Sequence, residues 1–219
     1  MIGTWFMSGS PQVMDIISYN LDFVIIDMEH GNIDYNDLPT LIRLAGDAVV
    51  WVRPRSNNAI DIQHILDSGA QGIIVPHINT LDDVYEFIQY TEYPPIGVLG
   101  YSPFTAAYGY GAFEKCSPPT RAIIIESKEA VENIEQLAQN VDVVYIGIYD
   151  LSKEYGFGVH SEEMNTLFGY IANKILDQGK EIGAIYHNAE TKKFLEDHQV
   201  DWMVYKTDTA IIFDATKDI

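Results

Sequence analysis

Four apolar residues, Phe23-Val24-Ile25-Ile26, run directly into Asp27-Met28-Glu29-His30-Gly31. Two carboxylates and an imidazole this close together could orient a partner or relay a proton near neutral pH. A continuous apolar run bounded this way reads as a buried parallel strand, and α/β sheets bind ligands at the carboxyl ends of such strands. The plain alternative is a strand followed by a solvated polar turn. The same pattern recurs: Arg53, His77, Glu126, Asp150, His187 and Lys206 each follow a short apolar run, and Trp5 lies within the first one. Glu126 and Asp150 end neighbouring strands, the fifth and sixth. Two carboxylates so placed suit Mg²⁺ or Mn²⁺, hard ions often held by one or two carboxylates plus substrate and water. Either acid taken alone reads as a helix cap or a solvated turn.

The elements that must position these residues follow from periodicity and punctuation. Strands are expected over 3–7, 21–26, 48–52, 72–75, 122–125, 141–146, 182–185 and 202–205. Between them lie helical patterns: Ser10 and Pro11 open a helix to about Tyr19, and Asp37 to Leu44 follows. Ser56-Asn57-Asn58 caps a helix through Leu66 that Gly69 closes. Further helices run from Leu81 to Tyr90, from Ser127 through Gln139, from Ser161 to Asp177, and from Asn188 to Asp197. Residues 97–111, rich in Gly, Tyr, Ala and Ser, read as a long loop that could be a lid, a subunit contact or a face for a sugar or nucleotide. Eight strands, each followed by a helix or helical stub, are the count for a single (β/α)₈ TIM barrel spanning the chain. No glycine-rich dinucleotide or phosphate fingerprint follows any strand. The last helix, near Thr209, is a stub and is expected to pack on a neighbouring subunit.

With 219 residues and 47% hydrophobic composition, one full core can form. Thirteen Lys and Arg against 32 Asp and Glu give a net charge of −19, which disfavours nucleic acid and anionic membranes as partners. An anionic substrate must then be held locally, by a metal or a placed Arg. The single cysteine, Cys116, rules out an internal disulfide framework and reads as incidental. Without a secretory segment or an apolar run of roughly 20 residues, a cytoplasmic location is expected.

The motifs Asp27-Met28-Glu29-His30-Gly31, Val52-Arg53-Pro54, Val75-Pro76, Tyr93-Pro94-Pro95-Ile96-Gly97, Ile125-Glu126-Ser127 and Gly147-Ile148-Tyr149-Asp150-Leu151-Ser152 occur in this order. In order and rough spacing they resemble the HpcH/HpaI aldolase family, class II metal-dependent 2-oxo-acid aldolases such as 4-hydroxy-2-oxoheptanedioate aldolase. The resemblance implies reversible cleavage of a 4-hydroxy-2-oxo acid to pyruvate, or a close 2-oxo acid, and an aldehyde through a metal-stabilised enolate. It implies Glu126 and Asp150 as metal ligands, with Mg²⁺ or Mn²⁺ favoured and Co²⁺ a further candidate. Arg53 resembles the residue that stabilises the enolate and His30 the acid/base residue. Asp82 stands where the family has an aspartate that pairs with that histidine across a subunit boundary. Trp5, Tyr149 and Asp150 fall at substrate-pocket positions, the last two through backbone N–H groups. Asp27 and Glu29 read as orienting His30 or the water on the metal. The family implies a homo-oligomer, a trimer or a hexamer.

Departures from the family bear on the pocket. Leu99 and Ile124 stand where the family has an Arg and a Gln, Tyr149 where a small residue is usual, and the loop between Pro103 and Pro119 is short. A citrate-lyase-β-like or phosphoenolpyruvate-type enzyme, and a non-catalytic binding homologue, stay open beside the aldolase. Lys206 could form a Schiff base, against a salt bridge near Asp208. His77, His187, Tyr108 and Tyr110 are pocket candidates against plain roles in caps, turns or interfaces.

Overall fold

A computed structural model describes residues 1–114 and 117–217, so Cys116 lies outside the described residues. Eight parallel strands close into one barrel in chain order. They are β1 (Ile2–Phe6), β2 (Phe23–Asp27), β3 (Val49–Arg53), β4 (Gly72–Val75), β5 (Thr120–Ile125), β6 (Val143–Ile146), β7 (Glu181–Tyr186) and β8 (Trp202–Thr207). Around them run α1 (Pro11–Ser18), α2 (Leu38–Leu44), α3 (Ala59–Asp67), α4 (Leu81–Thr91), α5 (Lys128–Glu132), α6 (Ile134–Ala138), α7 (Ile148–Tyr155), α8 (Glu162–Asp177), α9 (Ala189–Asp197) and α10 (Asp208–Thr216). Among the described residues no helix is long and apolar enough to cross a membrane.

The two-residue repeat of the strands divides the core. Trp5, Phe23, Ile25, Trp51, Ile74, Ile124, Val143 and Tyr145 pack inside the barrel. Their neighbours Val24, Ile26, Val50, Val52, Ile123, Ile125 and Val144 pack outward under the helices. Followed to the strand ends, the inward series 23, 25 leads to Asp27 and 51 leads to Arg53, and one step beyond β5 the series through 124 leads to Glu126. The alternation that builds the core therefore also aims these three side chains at one end of the barrel.

Helix starts follow the expected chemistry. Ser10, Asn58, Thr80, Ser127, Ser161 and Asn188 each accept a first-turn N–H through the side chain. Several expectations need correction. The first strand stops at Phe6, because the Met7 N–H is taken by the Asp208 carboxylate at 2.8 Å. The helix expected from Ser127 through Gln139 is two helices that meet at Asn133, whose backbone leaves the helical region and whose amide donates to the Asn79 carbonyl. Residues after Gly147, where no helix is expected, form α7. Within the long loop, Ala106–Gly111 makes a short 3₁₀ segment.

Strand β8 carries a bulge. Gly3 pairs with Val204 but Trp5 with Thr207, so β8 has one residue more than β1 across this step. Lys206 there takes φ 51°, Thr207 lines the cavity at the barrel mouth, and the Lys206 ammonium is paired with Asp214. The salt bridge expected near Asp208 thus forms with a different partner, while buried Asp208 receives the N–H groups of Met7 and Ser8. Helix α10 packs on β1 and β8 and leaves Ile212 and Phe213 exposed.

Candidate active site

Asp27 is a buried charged group at the carboxyl end of the barrel. It is 1% exposed, and its two oxygens take a fork from Arg53, Nε at 2.8 Å and Nη2 at 2.6 Å. The strand ladder sets this pair, since Asp27 and Arg53 are register partners on β2 and β3. Asp27 Oδ1 also receives the backbone N–H groups of Glu29 at 3.0 Å and His30 at 3.2 Å, which shapes the turn after β2. Gly31 completes that turn because a Cβ there would meet the Asp27 carbonyl oxygen at 2.1 Å.

Arg53 is held from three directions. Beyond the Asp27 fork, Nη1 lies 3.0 Å from Glu29 Oε2, and the guanidinium carbon sits 4.5 Å from the centre of the Trp5 ring. Burial works against the charge on Arg53, but the bond to Asp27 and the fields of Asp27, Glu29 and Glu126 outweigh it and hold the guanidinium above its ordinary range. Trp5 is fixed in turn by its indole N–H, which donates to the Tyr145 hydroxyl at 2.9 Å. Burial pushes the Tyr145 phenol up, so it stays neutral.

At the ends of β5 and β6 the charges are arranged differently. Glu126 follows β5, buried at 9% exposure, and its Oε1 accepts the His77 backbone N–H at 2.6 Å. The His77 ring bridges two acids, Nδ1 at 3.0 Å from Glu126 Oε1 and Nε2 at 2.8 Å from Glu29 Oε1. To do so His77 adopts φ 59°, a left-handed backbone unusual for a residue with a side chain. Burial raises the Glu126 carboxyl above its usual range; the nearby Asp150 and Glu29 carboxylates add to this, and His77 opposes it. Asp150 is exposed in the first turn of α7, one turn past the end of β6. Gly147 lets the ends of β5 and β6 close up, since a Cβ there would meet Glu126 Cβ at 2.9 Å.

These groups line one cavity of about 320 Å³, with Trp5, His30, Arg53, Glu126, Tyr149 and Asp150 on its walls. The structure thus gathers Trp5, Asp27, His30, Arg53, Glu126, Tyr149 and Asp150. Glu29 adjoins through Arg53 and His77. Asp82 stands apart, exposed in the first turn of α4; its neighbour Asp83 forms the capping box with Thr80. Asp27, read as orienting His30 or a metal's water, places its carboxylate on Arg53 and on backbone N–H groups. Of the departures, Ile124 and Tyr149 line the cavity, whereas Leu99 packs beside Tyr93 and Tyr108 in a different one. Tyr110 lies near Arg43. Tyr145 is the site residue the sequence reading lacks, though its inward position, two residues after Val143, marks it. His77 is a pocket candidate from sequence, but its bridging role depends on a backbone angle that no local pattern announces.

The donor set can be tested against a divalent ion. Among the described residues no group of three or more His, Cys, Asp and Glu side chains is arranged to hold a metal. Glu126 and Asp150 supply two hard oxygen donors on one cavity, and a cation there would offset the negative charge they bring together. Two carboxylates with the remaining positions left to water and substrate are the pattern of Mg²⁺ and Mn²⁺. The residues fit such an ion.

The fold and the cavity define a barrel protein that gathers its polar groups at the carboxyl ends of its strands, where such barrels bind small ligands. The family model described as HpcH/HpaI aldolase/citrate lyase matches residues 1–201, and the chain belongs to that family. The hydroxypyruvate/pyruvate aldolase of Sagittula stellata is 30% identical over 166 residues, 71% of this chain and 66% of that protein. The match thus spans slightly under two thirds of that relative. The 4-hydroxy-2-oxo-heptane-1,7-dioate aldolase of Escherichia coli is 27% identical over 209 residues, 89% of this chain and 80% of that protein. The solved structure of the citrate synthase SbnG superposes with a TM-score of 0.87 at 25% identity, covering 99% of this chain and 90% of that one.

Proposed function

We propose that this protein is a divalent-metal-dependent carbon–carbon lyase that reversibly cleaves a 4-hydroxy-2-oxo acid to pyruvate, or a close 2-oxo acid, and an aldehyde. The observation that carries the reading is one cavity lined by both a fixed guanidinium, Arg53, and two carboxylates, Glu126 and Asp150. Glu126 and Asp150 would hold the ion, Mg²⁺ or Mn²⁺ first and Co²⁺ next. When bound, such an ion polarises the 2-oxo group as a Lewis acid.

The chain's own residues supply the rest. Helix α7 has Gly147 as its N-cap and no side chain capping its first turn, so backbone N–H groups near Tyr149 and Asp150 can receive the substrate carboxylate. Arg53 keeps its charge and directs it toward negative charge developing on the keto oxygen. Asp27 and Glu29 keep that guanidinium in place, and Trp5 covers one of its faces. His30, exposed at the cavity wall, removes the proton of the 4-hydroxyl in cleavage and returns it in the reverse direction. In cleavage the C3–C4 bond breaks, its electron pair passes to C3 and the keto group, and the aldehyde carbonyl forms at C4. Asp82 is assigned to pair with His30 of a neighbouring subunit. The exposed Ile212 and Phe213 of α10 offer an apolar face for self-association, which the family resemblance puts at a trimer or hexamer.

Exchange of pyruvate methyl protons in D₂O tests this reading without knowledge of the aldehyde. Metal-loaded protein is expected to exchange them and to stop when a chelator is added. Absence of exchange, together with failure to cleave any hydroxy-oxo acid, refutes the lyase. The likeness to a citrate synthase favours one second reading, enolate chemistry on another 2-oxo acid, and exchange with oxaloacetate but not pyruvate would favour it.

A further inference from the structure

A second cavity, of about 330 Å³, adjoins the first. Ile148 and Ile185 line both, so the two share an apolar wall. Tyr149 lines the first and His187 the second, and the Tyr149 hydroxyl is hydrogen-bonded to His187 Nε2. The pair therefore stands at the junction. Val159 and Phe194 supply further apolar surface, while Asn188 and Thr191 are engaged in capping α9. The polar groups left to meet a ligand are His160, Asn165, His187 and Glu190, and among the described residues no Lys or Arg lines this cavity.

That lining discriminates by charge. A ligand ending in carboxylate, sulfonate or phosphate would face Glu190 with no lining cation, in a chain of net charge −19. Burial, His160 and Lys206 all hold the His187 imidazole below its ordinary range, against Asp214, which disfavours the cationic ring that an anion would seek. A ligand hydroxyl both gives and takes a hydrogen bond, so it can replace the Tyr149–His187 bond whichever of the two is the donor. A carboxylate can only accept, and gives nothing to the member of the pair that accepts.

We propose that the second cavity is the acceptor compartment of the enzyme, that it takes an uncharged hydroxylated aldehyde, and that the Tyr149–His187 pair is the specificity gate between it and the reacting carbon. The inference rests on the aldolase reading above. In the synthetic direction the pyruvate methyl carbon loses a proton and bonds to the aldehyde carbonyl carbon, whose oxygen gains a proton; no oxidant or reductant enters.

The test uses full-length protein with Mn²⁺ and pyruvate, and compares D-glyceraldehyde with succinic semialdehyde as acceptor. The ratio of the two kcat/KM values is the readout, since it cancels losses of folding and of the pyruvate step. The wild-type protein is expected to favour glyceraldehyde. His187→Phe, which removes the hydrogen-bonding ring nitrogen, and Val159→Trp, which fills the cavity, are each expected to lower the ratio by roughly tenfold or more. A wild-type preference for succinic semialdehyde, or a ratio unchanged in both variants, overturns the proposal while pyruvate exchange stands. Absence in the wild type of both exchange and cleavage of any hydroxy-oxo acid instead overturns the aldolase reading and takes this proposal with it.

Discussion

The two sides of the barrel mouth are built on opposite principles. On the β2–β3 side, Asp27, Arg53 and Glu29 form a buried, mutually paired group seated on the Trp5 ring. On the β5–β7 side, Glu126 and Asp150 add like charges to one cavity, and Tyr149 and His187 are bonded to each other at its edge. The first side has its charges met by its own neighbours and holds a cation in place before any ligand arrives. The second carries two like charges, of which Glu126 has, among the described residues, only His77 as a neighbouring partner, next to side chains that a substrate can displace. Preorganised positive charge and adjustable recognition are thereby assigned to different strands.

The largest expected effect breaks the open side. Glu126→Ala or Asp150→Ala should abolish Mn²⁺ binding, followed by the electron paramagnetic resonance signal of free Mn²⁺, and proton exchange together, because each removes one of two carboxylate donors. Retained affinity would refute the ligand assignment. Next is the closed side, where Arg53→Lys should lower the exchange rate by roughly 100-fold or more, since an ammonium cannot reproduce the fork to Asp27 while facing the keto oxygen. Near-normal exchange would move the enolate site elsewhere. Asp27→Asn should cost about 3 kcal/mol in urea unfolding, the scale for removing one partner of a buried ion pair. A change near zero would show that Glu29 alone satisfies Arg53. The smallest effect expected is none at all: borohydride with pyruvate should leave no adduct on Lys206, because its ammonium is paired with Asp214 outside the cavity lining.

How much of this was legible in the sequence depended on whether a feature was local. The eight strands were readable because buried parallel strands are short apolar runs, and the caps at Ser10, Asn58, Thr80 and Asn188 mark their helices directly. The inward alternation that ends in Asp27, Arg53 and Glu126 was equally available. Partners set across strands were harder to read. The Arg53–Asp27 fork follows from β2–β3 register, the Asp214 partner of Lys206 from a one-residue bulge in β8, and the His77 bridge from a positive φ. Helix α7 was hidden because Gly147-Ile148-Tyr149-Asp150 reads equally well as a turn. Asp82 remained a matter of assembly, since a single chain leaves it exposed.

A crystal structure with Mn²⁺ and oxalate, a mimic of the pyruvate enolate, tests the central claim most directly. The account predicts the ion bound by the carboxylates of Glu126 and Asp150, with oxalate between it and the Arg53 guanidinium. An ion held elsewhere, or oxalate seated away from Arg53, would contradict it.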